Sequence, residues 1–129
     1  MKVEKAPDVQ EKLEKIVDAL EMRHIISARI ICMRSHGAKA NAYARIWNLP
    51  SIWREALEIN PFYVIEVLSQ HYDPLDEEEK TKTIIHELLH IPKKFTGGLV
   101  PHLCAGKRIN KRTVDKIYEK LKEKEVNQI

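Results

Sequence analysis

The sequence predicts an α+β fold in which a sheet of about three antiparallel strands is packed with helices. Two observations lead to it. Several segments repeat apolar residues at the i, i+3, i+4 spacing of an amphipathic helix, and others are short β-branched or aromatic runs bounded by Pro, Gly or Asn. A third observation says what the fold is built to hold. One helical segment carries histidines four residues apart, His86 and His90, with Glu87 between them.

In chain order, Ala6-Pro7-Asp8 opens a first helix, with Asp8 and Glu11 spaced as a capping box. Val9, Leu13, Ile16, Val17 and Leu20 form its apolar face, and Glu11, Lys12, Glu14 and Lys15 face water. His24 falls at its end, where a cationic ring suits the helix dipole. From Ile25 to Met33 the composition turns β-branched, with Ala28, Ile30 and Cys32 alternating against their neighbours, which predicts a strand. Ser35 to Lys39 reads as a turn that includes His36, and Ala42 to Leu49 as a second strand, so the two are expected to form an antiparallel hairpin. In the second strand Tyr43, Arg45 and Trp47 share one face, and Ala44 and Ile46 the other. Trp47 and Trp53 read most simply as core or rim packing, with an aromatic groove for a peptide as the alternative.

Pro50-Ser51 starts a short helix through Leu57 with Ser51 as its cap, and Asn60-Pro61 marks a turn. Phe62 to Ser69 is the third strand. Glu66 interrupts its apolar pattern, either as an exposed edge position or as a contact near a cleft. His71 and Tyr72 are placed in the following loop, anchoring the next helix or donating to an oxyanion.

Asp76 and Glu79 then make a capping-box start, and Thr81, Ile84, Ile85 and Leu88 give the next helix an apolar stripe. His86 and His90 lie opposite that stripe on a helical wheel, so their face looks away from the core. Pro92 ends the helix, because the residue before a proline is pushed out of the helical region. A pair of imidazoles one turn apart can share a metal ion, and an adjacent carboxylate can serve a metal-held water as general base, which is the chemistry of H-E-x-x-H. A third protein ligand is then expected from a segment that turns back. Gly97 and Gly98 permit a reversal and His102 follows, which makes His102 the expected third ligand and Cys104 its rival. Beyond it, Lys107 to Arg112 form a basic cluster ahead of a last helix striped by Val114, Ile117, Tyr118 and Leu121. A solvated surface is the favoured reading of that cluster, and a nucleic-acid patch the other.

Tyr63-Val64-Ile65-Glu66-Val67, Tyr72-Asp73-Pro74-Leu75, Glu79 through Pro92 and Phe95 through His102 together resemble the metallopeptidases of phages and archaea. More distantly they resemble minimal zincin domains such as the Spartan/SprT-like proteases, whose third histidine also lies beyond a glycine-containing loop. The resemblance spans roughly the middle two thirds of the chain. It implies a small zincin-like fold, a Zn2+ cofactor held by His86, His90 and His102, Glu87 as catalytic base, and a protein or peptide substrate. The spacing after His90 departs from metzincins, whose third histidine comes much sooner, so their mechanism is not carried over. A non-catalytic zinc-binding or nucleic-acid-associated module on the same frame is the alternative from another class.

The whole chain bounds these readings. Its 129 residues suit one domain, 1–129, with a modest core. With 22 Lys and Arg against 19 Asp and Glu, the net charge of +3 is too small to imply a nucleic-acid or membrane partner. No run is long and apolar enough to cross a bilayer, and Met1 to Val9 does not read as a signal peptide. The expectation is a cytoplasmic protein with two free thiols, Cys32 and Cys104.

Overall fold

In the computed structural model, which describes residues 2–104 and 107–127, the order is strand, helix, two strands, three helices around a fourth strand, a small hairpin and a last helix. The strands of the main sheet are β1 (Lys2–Lys5), β2 (Ile30–His36), β3 (Ala44–Asn48) and β4 (Tyr63–Leu68). The helices are α1 (Pro7–Ala19), α2 (Ser51–Leu57), α3 (Ser69–Tyr72), α4 (Glu77–Leu88) and α5 (Lys111–Asn127). The hairpin pairs β5 (Leu103–Cys104) with β6 (Lys107–Arg108). This is the expected α+β class, with a small sheet carrying helices.

The sheet order is β1-β2-β4-β3, and it corrects two expectations. Its four strands fit the small sheet expected, but it is not wholly antiparallel, since β2 and β4 run parallel from Ile30 opposite Tyr63 to Ser35 opposite Leu68. Nor do β2 and β3 form a hairpin. β4 lies between them and pairs antiparallel with β3, Ala44 opposite Val67 through Asn48 opposite Tyr63. The physical reason is burial. In β4, Tyr63, Ile65, Val67 and Leu68 are all fully buried, so this strand takes a central position, whereas β3 carries exposed Trp47 and Asn48 and suits an edge. The seven residues between β2 and β3 are too many for a tight turn and long enough to step across one strand, about 10 Å.

Other boundaries shift. The stretch expected to be a strand from Ile25 opens as a 3-10 turn at Ser27–Arg29, and the strand begins at Ile30 and runs on through Ser35 and His36, which were expected in a turn. α1 is not capped by Asp8. Ala6 holds the cap position without a side-chain bond, Pro7 pre-sets the first turn, and Asp8 instead makes a two-pronged ion pair with Arg34 at 2.8 and 3.0 Å. Ser51 is likewise the first residue of α2, with Pro50 before it at the cap position. β1 escapes the sequence because its four residues are all exposed and give no apolar signal.

One face of the sheet carries the core. Val9, Leu13, Ile16 and Val17 of α1, Ile30 and Cys32 of β2, Tyr63, Ile65 and Val67 of β4, and Ile84, Ile85 and Leu88 of α4 pack into one cluster, joined by Val114 and Leu121 of α5. Helix α4 is thereby fixed by its apolar stripe, with its N-terminus capped as expected by Asp76, which accepts from the Glu79 amide at 2.9 Å. That seating sets where the opposite side of α4 points. Among the described residues, no helix is long and apolar enough to cross a membrane.

Candidate metal centre

The end of α4 tightens as it approaches His90. The helix proper stops at Leu88, and the amides of His90 and Ile91 bond the carbonyls three residues back, those of Glu87 and Leu88, at 3.1 Å each. His90 is thus held on a tightened final turn, and its ring centroid lies 5.1 Å from that of His86.

The chain then reverses. The amide of Phe95 bonds the carbonyl of Pro92 at 3.0 Å, and Phe95 itself adopts a positive φ of 48° with its ring edge-on to Tyr63. Tyr63 is fully buried on the central strand, and its hydroxyl grips the loop. It accepts from the Gly97 amide at 3.0 Å and donates to the Gly98 carbonyl at 2.7 Å. Asn48, at the end of β3, donates to the Gly97 carbonyl at 2.9 Å. Gly97 has a φ of +94°, which calls for glycine, and a β-carbon there would sit 2.9 Å from the guanidinium carbon of Arg54, the far end of a side chain that would have to shift. Gly98 meets neither constraint.

Val100 closes the arrangement. Its amide donates to the His90 carbonyl at 2.7 Å, and its own carbonyl meets the Nδ1 of the His90 ring. A carbonyl can only accept, so Nδ1 carries the proton and Nε2 keeps a free lone pair, the orientation that metal-ligating histidines take from such a partner. His102 follows two residues later, its carbonyl accepting from Ile109 at 2.8 Å as the chain enters β5 and β6. The His102 ring lies 4.6 Å from that of His90 and 5.2 Å from that of His86, centroid to centroid.

Three imidazoles thus converge, with ligand atoms all within 4.8 Å of one another, a grouping that could hold a metal ion. The donor set suits one. Neutral imidazole is a preferred ligand of divalent transition metals, and three such ligands leave a position open to water or substrate. Partial desolvation, and then the neighbouring His90 and His86, push the His102 pKa below its ordinary value, a shift toward the neutral form a metal needs. Burial grades across the trio from His90, which is buried, through half-buried His86 to exposed His102. Glu87 is itself only 4% exposed, with Oε1 3.3 Å from Nδ1 of His86. A cavity of about 540 Å³ runs past all four side chains and is bounded on its far side by Ala44, Arg45 and Ile46 of the edge strand β3.

The remaining candidates fall elsewhere. His24 lies in the turn beyond α1, its pKa lowered by burial and by Lys93, and His36 ends β2 at 3.4 Å from Glu4. His71 and Tyr72 form α3, not a loop. Tyr72 is buried in the core beneath Lys80, which removes it from the oxyanion role, and His71 stands by Asn41 and Tyr43. Glu66 is neither an exposed edge residue nor a cleft contact. It is 6% exposed on the sheet face opposite the core, accepting from Arg45 at 2.8 and 3.2 Å and from the Trp47 indole at 2.8 Å. Burial opposes its charge, but the Arg45 and Trp47 hydrogen bonds outweigh it and hold the carboxyl below its usual range. Trp47 and Trp53 are half exposed and outside the core. Cys32 is a free, buried thiol pushed up to about 12, chiefly by burial. The side chain of Cys104, and those of Lys107 and Arg108 in the basic cluster, lie outside the described residues. What the sequence left unseen is the grip of Tyr63 and Asn48 on the loop, because those residues lie 34 to 49 positions away from it and carry no local pattern.

No curated protein and no solved structure gives a significant match to this chain. A family model described as "Putative phage metallopeptidase" matches residues 1–126, nearly its whole length. The chain belongs to that family.

Proposed function

We propose that the protein is a zinc-dependent metallopeptidase that hydrolyses peptide bonds, with His86, His90 and His102 as metal ligands and Glu87 as general base. The observation that carries this reading is the convergence of the three imidazoles beside a buried carboxylate, at the foot of a cleft flanked by an edge strand. Zinc, when bound, supplies Lewis-acid polarisation of a carbonyl and acidifies its water. The protein's own residues do the rest. The Val100 carbonyl fixes the tautomer of His90. An extended substrate pairs along the free edge of β3, which borders the cavity, and this brings a backbone carbonyl over Glu87. Glu87 takes the proton of the attacking water as the carbon–oxygen bond forms, then delivers it to the nitrogen as the carbon–nitrogen bond breaks. Water is consumed, and a carboxylic acid and an amine leave.

The test is Glu87→Gln, assayed with a fluorescently labelled unfolded protein after zinc loading. The glutamine keeps the shape and cannot accept the proton. Zinc content should match wild type while turnover falls at least ~100-fold, the low end of what general-base catalysis contributes. Undiminished turnover would overturn the mechanism.

A further inference from the structure

Helix α2 sits the wrong way round for an amphipathic helix. At 3.6 residues per turn, Ile52, Trp53, Ala56 and Leu57 fall on one arc of it, and Ser51 and Arg54 on the other. The polar side is the one turned to the protein. The Arg54 guanidinium lies against Gly97, and its Nε is buried. The apolar arc is in solvent, with Ile52 74%, Trp53 57% and Leu57 56% exposed and Ala56 exposed beside them. Among the seven residues of α2 none is buried, whereas α1 and α4 bury their own apolar stripes.

Size and charge select what covers this arc. Taking ~250 Å² as the most that an aromatic side chain offers, the four residues at these exposures present no more than ~500 Å², against ~800 Å² per partner in a stable protein–protein interface. That is too little to hold a second folded copy, and it suits a short segment of chain. The rim is acidic. Glu55 beside the arc and Glu58 at its C-terminal end are both exposed, while Arg54 is turned inward. Two copies meeting on this face would set those carboxylates against each other, and an anionic lipid surface would be repelled by them. A stretch of apolar residues next to lysine or arginine fits on both counts. Folded proteins seldom expose such a stretch, so its owner is unfolded there.

The surface is also tied to the cleft. Two residues separate α2 from β3, whose last residue, Asn48, donates to the Gly97 carbonyl, and the Arg54 side chain rests on the same glycine. Whatever docks on α2 is held beside the loop that runs on to His102. We propose that the outer face of α2 is a docking site for an apolar, basic-flanked segment of an unfolded protein substrate, away from the bond that is cut. The proposal rests on the metallopeptidase reading above and names the class of substrate: unfolded protein, not short peptides.

The test is binding, which needs no turnover, read on the full chain by fluorescence anisotropy of three short labelled peptides. One has a Leu/Phe centre flanked by lysines, one the same centre flanked by glutamates, and one a serine centre flanked by lysines. The first should bind tightest. Ile52→Ser with Trp53→Ser should weaken it at least ~10-fold through the apolar area lost, with the melting temperature of wild type because neither side chain is buried. Glu55→Lys with Glu58→Lys, which leaves the apolar arc intact, should reverse the preference between the two flanks. Turnover of unfolded protein by the Ile52→Ser, Trp53→Ser variant should show a raised KM. Equal affinities for the three peptides, or a preference unmoved by both variants, would overturn the docking site and leave the metal site standing. So would self-association, or binding to phosphatidylglycerol vesicles, that replaces peptide binding and is lost in the Ile52→Ser, Trp53→Ser variant. An unmoved KM would overturn the part of α2 in substrate capture. The expected binding pattern in a zinc-loaded protein that turns nothing over would overturn the metallopeptidase reading instead, with α2 left as a peptide-binding face.

Discussion

Gly97 shows how narrow the tolerances around the third histidine are. Its φ of +94° strains any residue with a β-carbon, and the Arg54 guanidinium would have to shift to admit one. Gly97→Ala should therefore destabilise the loop by ~1–3 kcal/mol, the range for a residue forced into a sparsely populated backbone region. Zinc affinity, read by competition with a chelator, should weaken with it. Gly98→Ala is the control, since that residue has no positive φ and an added β-carbon there would come no nearer than 3.9 Å to its nearest neighbour, the Thr96 hydroxyl. If the two substitutions were equally mild, the loop would not be what places His102. At this scale the sequence is most legible where spacing alone carries the geometry. The four-residue interval between His86 and His90 puts their rings side by side on any helix, and the glycine pair signals a reversal ahead of His102. The buried hydroxyl of Tyr63 is not legible, because nothing local distinguishes it from any other strand aromatic.

Elements succeed or fail in the reading according to whether their partners are near in sequence. Helices α1, α4 and α5 follow from their own stripes, which bury Val9, Leu13, Ile84, Ile85, Val114 and Leu121 as periodicity requires. Strand pairing is a relation between distant segments, and adjacency in sequence misleads when a more apolar strand such as β4 arrives later and inserts. The same insertion explains Glu66. Read as a lone strand its position looks like a solvated edge, but with β3 alongside it becomes a buried carboxylate satisfied by Arg45 and Trp47. Its stability contribution has a definite sign. Glu66 is held below its ordinary value of 4.5, and Asp8, hydrogen-bonded by Arg34, below 3.8, so each favours the fold fully above those values. That contribution is lost as pH falls through the lower folded-state values. Melting temperature should accordingly drop as pH is taken from about 5 toward 3. Glu66→Gln should flatten that slope and cost ~1–3 kcal/mol at neutral pH, as expected for disturbing a buried charge-assisted network. Asp8→Asn should change the slope less, because the Asp8 side chain is 65% exposed and its ion pair is screened by water. An acid slope unchanged by Glu66→Gln would mean that the carboxylate is not the group being titrated.

Over the whole molecule, the sheet and the C-terminal helix do different work around one cleft. The sheet supplies Tyr63 to grip the histidine loop and β3 to border the cavity, while α5 lines an adjoining cavity and braces α4 through Lys82 and Asp115. All of this converges on three imidazoles whose ligand atoms lie within 4.8 Å of one another. An ion that binds only the folded chain adds stability by mass action, ~2.7 kcal/mol at a hundredfold excess over its dissociation constant, so melting should also be metal-dependent. The most direct measurement is metal content by elemental mass spectrometry on purified wild type, His86→Ala and His102→Ala, each supplied with zinc and then desalted. The account predicts near-stoichiometric zinc in wild type, loss in His86→Ala and marked weakening in His102→Ala. Full zinc in His102→Ala would remove that residue from the ligand set, and a wild-type protein that takes up no zinc would contradict the central claim.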